Sequence, residues 1–319
     1  MTPSLPNPID YAIPGFVVLM LAEALVARFA KRGRYCPRDT ATSLAFGLGS
    51  VAIGALAAGA VVAIYTALHP YRLFTVPFAW WAWPLCFVLD DLAYYAFHRS
   101  AHRVRWFWAS HVNHHSSEHY NLSTALRQTW TGFVAGSFLF RLPLLFLGFP
   151  PAMIFFIGAL NLIYQFWIHT EVVGRCPRWV EAVMNTPSHH RVHHAVNPRY
   201  LDRNYAGVFI VWDKLFGTYE GERDDERPRY GIVNQLGHWN FARAVFHEWI
   251  GIARDLGSAP WRAKLGYVLR PPGWSHDGSR ETSDDIRRCW EESEQCRTPG
   301  NSTSSSSAED RAAAPRPGG

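Results

Sequence analysis

The chain has 319 residues, of which 48% are hydrophobic and only 18% are charged. Its formal net charge of +5 comes without a dense basic run, which argues against nucleic acid as a partner. Residues 40–71 and 142–170 contain no Asp, Glu, Lys or Arg, and each stretch exceeds the roughly 20 apolar residues that cross a bilayer. We therefore expect a membrane protein and not a water-soluble Rossmann or barrel enzyme.

The hydropathy pattern predicts an all-α, multi-pass membrane bundle of four to five spans. The N-terminus lacks the basic region of a cleaved signal peptide, so we expect the first apolar segment to be a retained span. Pro150 and Pro151 favour a turn between the last two spans. The candidate spans are residues 13–30, a segment within 40–68, and residues 74–98, 129–149 and 152–170.

Basic residues near the span ends predict the orientation. Only Arg72 lies on the opposite side, between the second and third spans. We therefore expect loops 31–39 and 98–128, and all residues after 171, to face the cytoplasm. The basic residues in these two loops are Lys31, Arg32, Arg34, Arg38, Arg99, Arg103, Arg105 and Arg127.

The segment after the spans should form a cytoplasmic helical cap. Residues 177–185 have the pattern of a short amphipathic helix, and residues 204–216 are apolar and aromatic. Residues 241–256 have helical spacing and would either lie on the membrane surface or pack on the protein. We expect a membrane-embedded domain over 1–275 and a disordered polar tail over 276–319, because the tail is poor in apolar residues. Removal of residues 280–319 should then be almost neutral.

Histidines are the strongest chemical signal in the sequence. Of the 15 histidines, six fall within residues 98–119 and four within 189–194. Spacings of three and four residues place imidazoles on one side of a helical turn. Many imidazoles without cysteine suit a first-row transition metal, since Ca²⁺ and Mg²⁺ prefer oxygen ligands. The clustered candidates are His98, His102, His111, His114, His115, His190, His193 and His194.

Two further features extend this prediction. His169 lies at the cytoplasmic end of the last span, facing the same compartment, and is a further candidate ligand. Carboxylates should orient the imidazoles through their second ring nitrogen. Asp91 is the first choice because it precedes His98 by seven residues on one helix face. The remaining carboxylate candidates are Asp90, Glu118, Glu171 and Asp213.

The motifs HRSAH (98–102), HVNHH (111–115) and HRVHH (190–194) resemble the three histidine boxes of the fatty acid hydroxylase and sterol desaturase superfamily. Residues 114–128, 165–171, 185–194 and 204–220 are similar to its pterin-dependent branch, which cleaves ether lipids. The resemblance implies two iron ions, with His189 as a further ligand beside those above. It also implies oxygen attack on a lipid C–H bond, with tetrahydrobiopterin, a ferredoxin or a cytochrome as electron donor. Arg103 stands where that branch typically has Glu, and it adds positive charge to the site unless an acid such as Glu171 or Glu118 pairs with it.

Two other classes of protein remain open from the residues alone. A zinc hydrolase needs only three protein ligands and an open position, so eight or more histidines exceed its needs. A metal transporter usually places its ionisable residues near the bilayer midplane, whereas these histidines follow the span ends. Metal analysis separates the three classes. It would find iron in a lipid monooxygenase, zinc in a hydrolase and a weakly held, exchangeable metal in a transporter.

Overall fold

The computed structural model describes residues 5–30 and 33–297, and the regular elements of these residues are all helical. Isolated β-bridges join Met184 to Phe209 and Ala195 to Tyr230. The all-α prediction is confirmed. The α-helices are α1 (Pro8–Ala30), α2 (Pro37–Leu68), α3 (Ala82–Arg103), α4 (Arg105–His115), α5 (Gly132–Ala135), α6 (Leu142–Phe146), α7 (Pro151–Trp167), α8 (Arg178–Val183), α9 (Pro187–His193), α10 (Val211–Leu215), α11 (Phe241–Ser258), α12 (Trp261–Leu269) and α13 (Ser283–Arg297). Short 3₁₀ helices occupy His69–Tyr71, Leu122–Leu126 and Ser137–Arg141.

Helices α1 and α2 are long and apolar enough to cross a membrane. The candidate spans are Pro8–Phe29 and Pro37–Tyr71, and only 6% of each apolar window is buried against protein. Leu48 and Leu56 on α2 are among many large apolar side chains that remain exposed. An apolar helix exposed on nearly all sides needs hydrocarbon around it. The two helices therefore indicate a membrane protein.

The later predicted spans take other forms. The prediction of one helix over residues 129–149 is wrong, because this stretch divides into α5, a 3₁₀ helix and α6. Gly136 and Gly148 have φ angles of +81° and +102°, and positive φ interrupts a right-handed helix. Helix α7 has 17 residues and is about 25 Å long at a rise of about 1.5 Å per residue, less than the roughly 30 Å hydrocarbon core.

A buried polar contact joins α3 to α7 within an apolar core. Arg141 Nε lies 2.5 Å from Asp90 Oδ1. Asn161 donates to Asp90 at 3.3 Å and to Asp91 at 3.0 Å. A buried charge is costly unless it is paired, so these contacts fix the middle of α3 against its neighbours. The surrounding core consists of Tyr65, Ala82, Cys86, Leu144, Leu145, Phe149, Met153, Ile154 and Ile157.

The segment after α7 covers the C-terminal end of α3. Helix α8 lies within the predicted helix 177–185, and α11 confirms the predicted helix 241–256. In residues 204–216 the regular helix is α10, preceded by loop. Ala244 and Val245 on α11 pack against Phe46 on α2, so one face of α11 is a packing face.

The predicted disorder of residues 276–319 is wrong for 276–297. Helix α13 is polar, and ion pairs hold this segment to the rest of the protein. Arg103 Nη1 donates to Asp284 at 2.9 Å, and Arg280 Nη2 lies 2.7 Å from Asp255. The amino-acid composition shows that apolar residues are scarce in this segment, but it does not show the ion pairs that the segment makes with distant residues. Residues 298–319 of the predicted tail, and Lys31 and Arg32 of the predicted basic loop, lie outside the described residues.

Candidate metal centre

Three helix segments bring the clustered histidines together. The last turns of α3 carry the histidines at positions 98 and 102, and α4 carries those at 111, 114 and 115. Helix α9 carries the histidines at 190 and 193, and the histidine at 194 follows its last residue. His169 follows the end of α7. The structure sorts nine histidines into two groups whose ring nitrogens lie within 4.8 Å of one another. The five-His group is His98, His102, His111, His115 and His193, and the four-His group is His114, His169, His190 and His194.

The nitrogen spacing within both groups is uniform. In the five-His group, Nε2 of His111 lies 3.0 Å from that of His98 and 3.1 Å from that of His115. In the four-His group, Nε2 of His169 lies 3.1 Å from that of His114 and 3.0 Å from that of His190. Two nitrogens that bind one metal ion at about 2.1 Å and about 90° apart are about 3.0 Å from each other. Both groups therefore have the spacing of neighbouring ligands on one ion.

Hydrogen bonds from the outer ring nitrogen determine which nitrogen faces inward. The Nδ1 atoms of His98, His169 and His193 contact the backbone carbonyls of residues 205, 165 and 203 at 2.8, 2.7 and 2.9 Å. A carbonyl oxygen only accepts, so each Nδ1 carries the proton and each Nε2 keeps a free lone pair. These lone pairs converge on other imidazole nitrogens, an arrangement that a cation between them would stabilise.

Burial also favours the neutral form of several of these histidines. Burial, together with the neighbouring imidazoles, lowers the pKa of His115, His190 and His194 well below the usual histidine value. Metal ions bind the neutral form of imidazole. The donor set therefore fits a transition metal that accepts nitrogen ligands, such as iron, zinc or copper.

His102 has a carboxylate partner that the sequence did not predict. Its Nδ1 lies 3.1 Å from Asp202 Oδ1, while its Nε2 is buried without a hydrogen-bond partner among the described residues. Asp202 has a φ angle of +55°. It lies 100 positions from His102 in the chain, in a loop without a motif. No sequence signal that we recognise would have found it.

Three of the carboxylates predicted to orient the imidazoles accept hydrogen bonds from backbone N–H groups or from a tyrosine hydroxyl instead. Asp91 accepts the N–H groups of Val208 and Phe209 at 2.8 and 2.9 Å. Asp213 accepts the N–H groups of residues 205 and 206, both at 2.8 Å. Together they fix the loop whose Tyr205 carbonyl accepts the hydrogen bond from His98 Nδ1. Glu171 instead accepts from the Tyr230 hydroxyl.

One predicted ligand lies outside the two groups. His189 belongs to neither group, and its Nε2 lies 3.2 Å from Glu181. His119 lies outside both groups as well. Arg103 pairs with Asp284, and its Nη1 lies 3.7 Å from Asp202 Oδ2. An acid therefore does offset the charge of Arg103, but it comes from α13 and is neither Glu171 nor Glu118.

A cavity of about 230 Å³ borders the five-His group. His102, His115 and His193 form part of its wall, and His194 of the four-His group also reaches it. The remaining wall combines apolar and polar side chains, which suits a ligand with both kinds of surface. Its apolar lining includes Trp108, Val112, Leu201, Ile232 and Ile286, and its polar lining includes Asp202, Asn234, His247, Glu248 and Glu281.

Residues 83–218 match the family model described as Fatty acid hydroxylase, and they contain all nine histidines of the two groups. The chain therefore carries a fatty acid hydroxylase domain, as the histidine motifs predicted.

Among its curated relatives are four alkylglycerol monooxygenases. The chain is 39% identical over 277 residues to that of Homo sapiens and 37% identical over 282 residues to that of Danio rerio. These alignments cover 84% and 85% of this chain, and the chain spans about 60% of the length of each relative. An ornithine lipid hydroxylase of Rhizobium tropici is 26% identical over 160 residues, which are 48% of each chain. No solved structure matches this chain.

Proposed function

We propose that this chain is a membrane-bound lipid monooxygenase that holds one iron ion in each histidine group. The observation that carries the proposal is the convergence of nine imidazoles into two groups with ligand spacing. Imidazole suits iron, and the relatives are named as an alkylglycerol monooxygenase and an ornithine lipid hydroxylase. A zinc hydrolase and a metal transporter are disfavoured, because neither needs nine imidazoles arranged in two groups.

The two irons would supply the redox chemistry that activates molecular oxygen. The residues of the chain hold the ligands and exclude water. The carbonyls of residues 165, 203 and 205 keep Nε2 of three histidines turned inward. Trp108 and Val112 give the cavity apolar walls beside His115, where a substrate C–H bond would have to lie. This wall excludes bulk water from the reacting carbon.

For the substrate class we propose an ether lipid of the alkylglycerol type. Four of the relatives are named for this substrate, and the cavity provides Asn234, Asp202 and Glu281 as partners for hydroxyl groups. Oxidation of the carbon beside the ether oxygen would give a hemiacetal, which breaks down to an aldehyde and a glycerol derivative. Tetrahydrobiopterin is the proposed electron donor, with a ferredoxin or cytochrome as the other candidates.

The test is an assay of purified, iron-loaded protein with alkylglycerol, tetrahydrobiopterin and oxygen. We expect aldehyde formation that requires all three components. His190→Gln should abolish it, while His189→Gln is the matched control from the same motif. If alkylglycerol is inert but another lipid is oxidised with a ferredoxin or cytochrome, the ether-lipid proposal is wrong and the monooxygenase proposal holds. If no lipid is oxidised with any reductant, the monooxygenase proposal is wrong.

We also propose that the protein is multi-pass and that the histidine groups lie on the cytoplasmic side. The arginines near the ends of the spans support this orientation. Cysteine labelling at Glu118 and Asp224 should report one side of the membrane, and labelling at Tyr71 should report the other. If Glu118 and Asp224 were labelled from opposite sides, one site could not use both histidine segments.

A further inference from the structure

We propose that α11 and α12 rest on an anionic lipid surface through one apolar face. This face consists of side chains spaced four residues apart on each helix, so each set lies along one stripe. On α11 they are 43–44% exposed, and on α12 they are 52–77% exposed. The members of the apolar face are Phe246, Ile250, Trp261, Leu265 and Leu269.

The apolar face is separate from the faces that pack on the protein. On α11, Val245 and Ile252 are buried, and Trp249 Nε1 donates to Thr131 at 3.1 Å. On α12, the buried residue is Tyr267, whose hydroxyl contacts His276 at 2.8 Å. Each helix therefore has one face that packs on the protein and a second, apolar face that stays exposed. A basic amphipathic helix of this type is typical of a segment that lies in a membrane interface.

The charges around this face favour an anionic surface. Within residues 241–270 the two acidic side chains, Glu248 and Asp255, are held by Arg105 at 2.6 and 2.5 Å. The other charged side chains of the segment are all basic, and each lies within four residues of a member of the apolar face in the sequence. Basic residues next to an apolar stripe attract anionic head groups. These residues are Arg243, Arg254, Arg262, Lys264 and Arg270.

The position of α11 along α2 favours lipid over a second protein. Val245 packs on Phe46, which lies nine residues after Pro37, where α2 begins. At about 1.5 Å per residue, Phe46 is about 14 Å from the start of this candidate span. Further along α2, Leu48 and Val51 are already exposed apolar side chains. With 32 residues α2 is about 48 Å long and exceeds the roughly 30 Å hydrocarbon core by about 18 Å. Its first 14 Å can therefore lie outside the hydrocarbon, which places α11 at the level of the head groups.

The experiment uses the full chain, with its five cysteines replaced by serine, in vesicles of phosphatidylcholine and phosphatidylglycerol. A spin label at Leu265→Cys reports the apolar face, and one at Asp224→Cys is the control on an exposed loop. We expect the label at position 265 to be reached by oxygen and shielded from an aqueous nickel chelate, with the opposite result at position 224. Retained iron content checks the fold, and no turnover is needed.

Three results would overturn the proposal. The first is equal access of the nickel chelate to the labels at positions 265 and 224. The second is spin–spin broadening at position 265, which would show a second copy of the chain on this face. The third result would come from the double variant Arg262→Glu and Lys264→Glu, in which we expect nickel access at position 265 to increase severalfold in the anionic vesicles. Unchanged access would show that the surface is not recognised as anionic.

Discussion

The two histidine groups differ in their surroundings. Three members of the five-His group form part of the cavity wall, and one of these three, His102, contacts the carboxylate of Asp202. The four-His group lies beneath Tyr120, whose ring centroid is 5.2 Å from that of His194 and 5.8 Å from that of His169. Tyr120 in turn stacks on Tyr230 at 4.8 Å. Most of the cavity contact thus belongs to the first group, whereas the second group is covered by the stacked pair Tyr120 and Tyr230.

Loss of a ligand from either group should give the largest effect. His115→Ala removes a nitrogen from the five-His group, and His190→Ala removes one from the four-His group. We expect iron to fall from about two to about one per chain in each variant, because a site that loses a ligand binds metal weakly. Monooxygenase activity should fall below detection in both. Membrane insertion should be retained, because apolar span length drives it.

Metal analysis and activity assays of both variants test this comparison, with His189→Gln as the matched control. Two irons retained in His115→Ala or in His190→Ala would remove that residue from the ligand set. Loss of both irons from each variant would instead show that the two groups do not bind independently.

Acid should destabilise the metal-free protein strongly. Because burial lowers the pKa of His190 and His194 below the usual histidine value, the unfolded chain binds more protons than the folded chain below a pH of about 6.5. The free energy of unfolding should therefore decrease as the pH falls from about 7 to about 5. Thermal melting of the metal-free protein at both pH values measures this decrease, and equal melting temperatures would contradict it.

Replacement of Asp202 should weaken one group and spare the other. Asp202→Asn removes the charge next to His102 but keeps a residue that tolerates the left-handed backbone conformation. We expect about a 10–100-fold lower metal affinity in the five-His group. Competition with a chelator would show one weakly held iron and one retained iron. The exposed Glu118→Gln is the control, and equal loss of both irons would contradict the comparison.

The smallest effect should come from α13. Asp284→Asn removes a partner of Arg103, which then has only the longer contact to Asp202 at 3.7 Å. A partly exposed ion pair contributes up to about 1 kcal/mol, so we expect about a two- to fivefold loss of metal affinity in the five-His group. Asp285→Asn on the same helix is the matched control. If the two variants release metal at the same rate, α13 has no influence on this group.

The sequence predicted the parts of the fold and site that depend on local spacing. Helical spacing and hydropathy predicted α1, α2 and α11, and the histidine spacing predicted the helical turns that the structure brings together. His189 was implied only by the resemblance to a family, and its side chain points to Glu181 instead. Whether the nine grouped histidines bind iron stays a prediction that the metal analysis will test.

The sequence failed where long-range contacts or backbone angles decide the structure. Positive φ at Gly136 divides an apolar stretch that hydropathy treats as one span. Helix α13 depends on ion pairs with Arg103, 181 positions away in the chain. Asp202 reaches His102 through a loop that carries no motif. Each of these features needs the folded structure to be seen.

The hydrogen bonds on Nδ1 bear on how this site tolerates mutation. His98, His169 and His193 are oriented by peptide carbonyls, which every amino acid carries. These three hydrogen bonds therefore do not depend on which side chain stands at positions 165, 203 and 205. His102 depends on one particular side chain, at position 202. A substitution at position 202 would accordingly disturb the orientation of one imidazole without removing any of the nine.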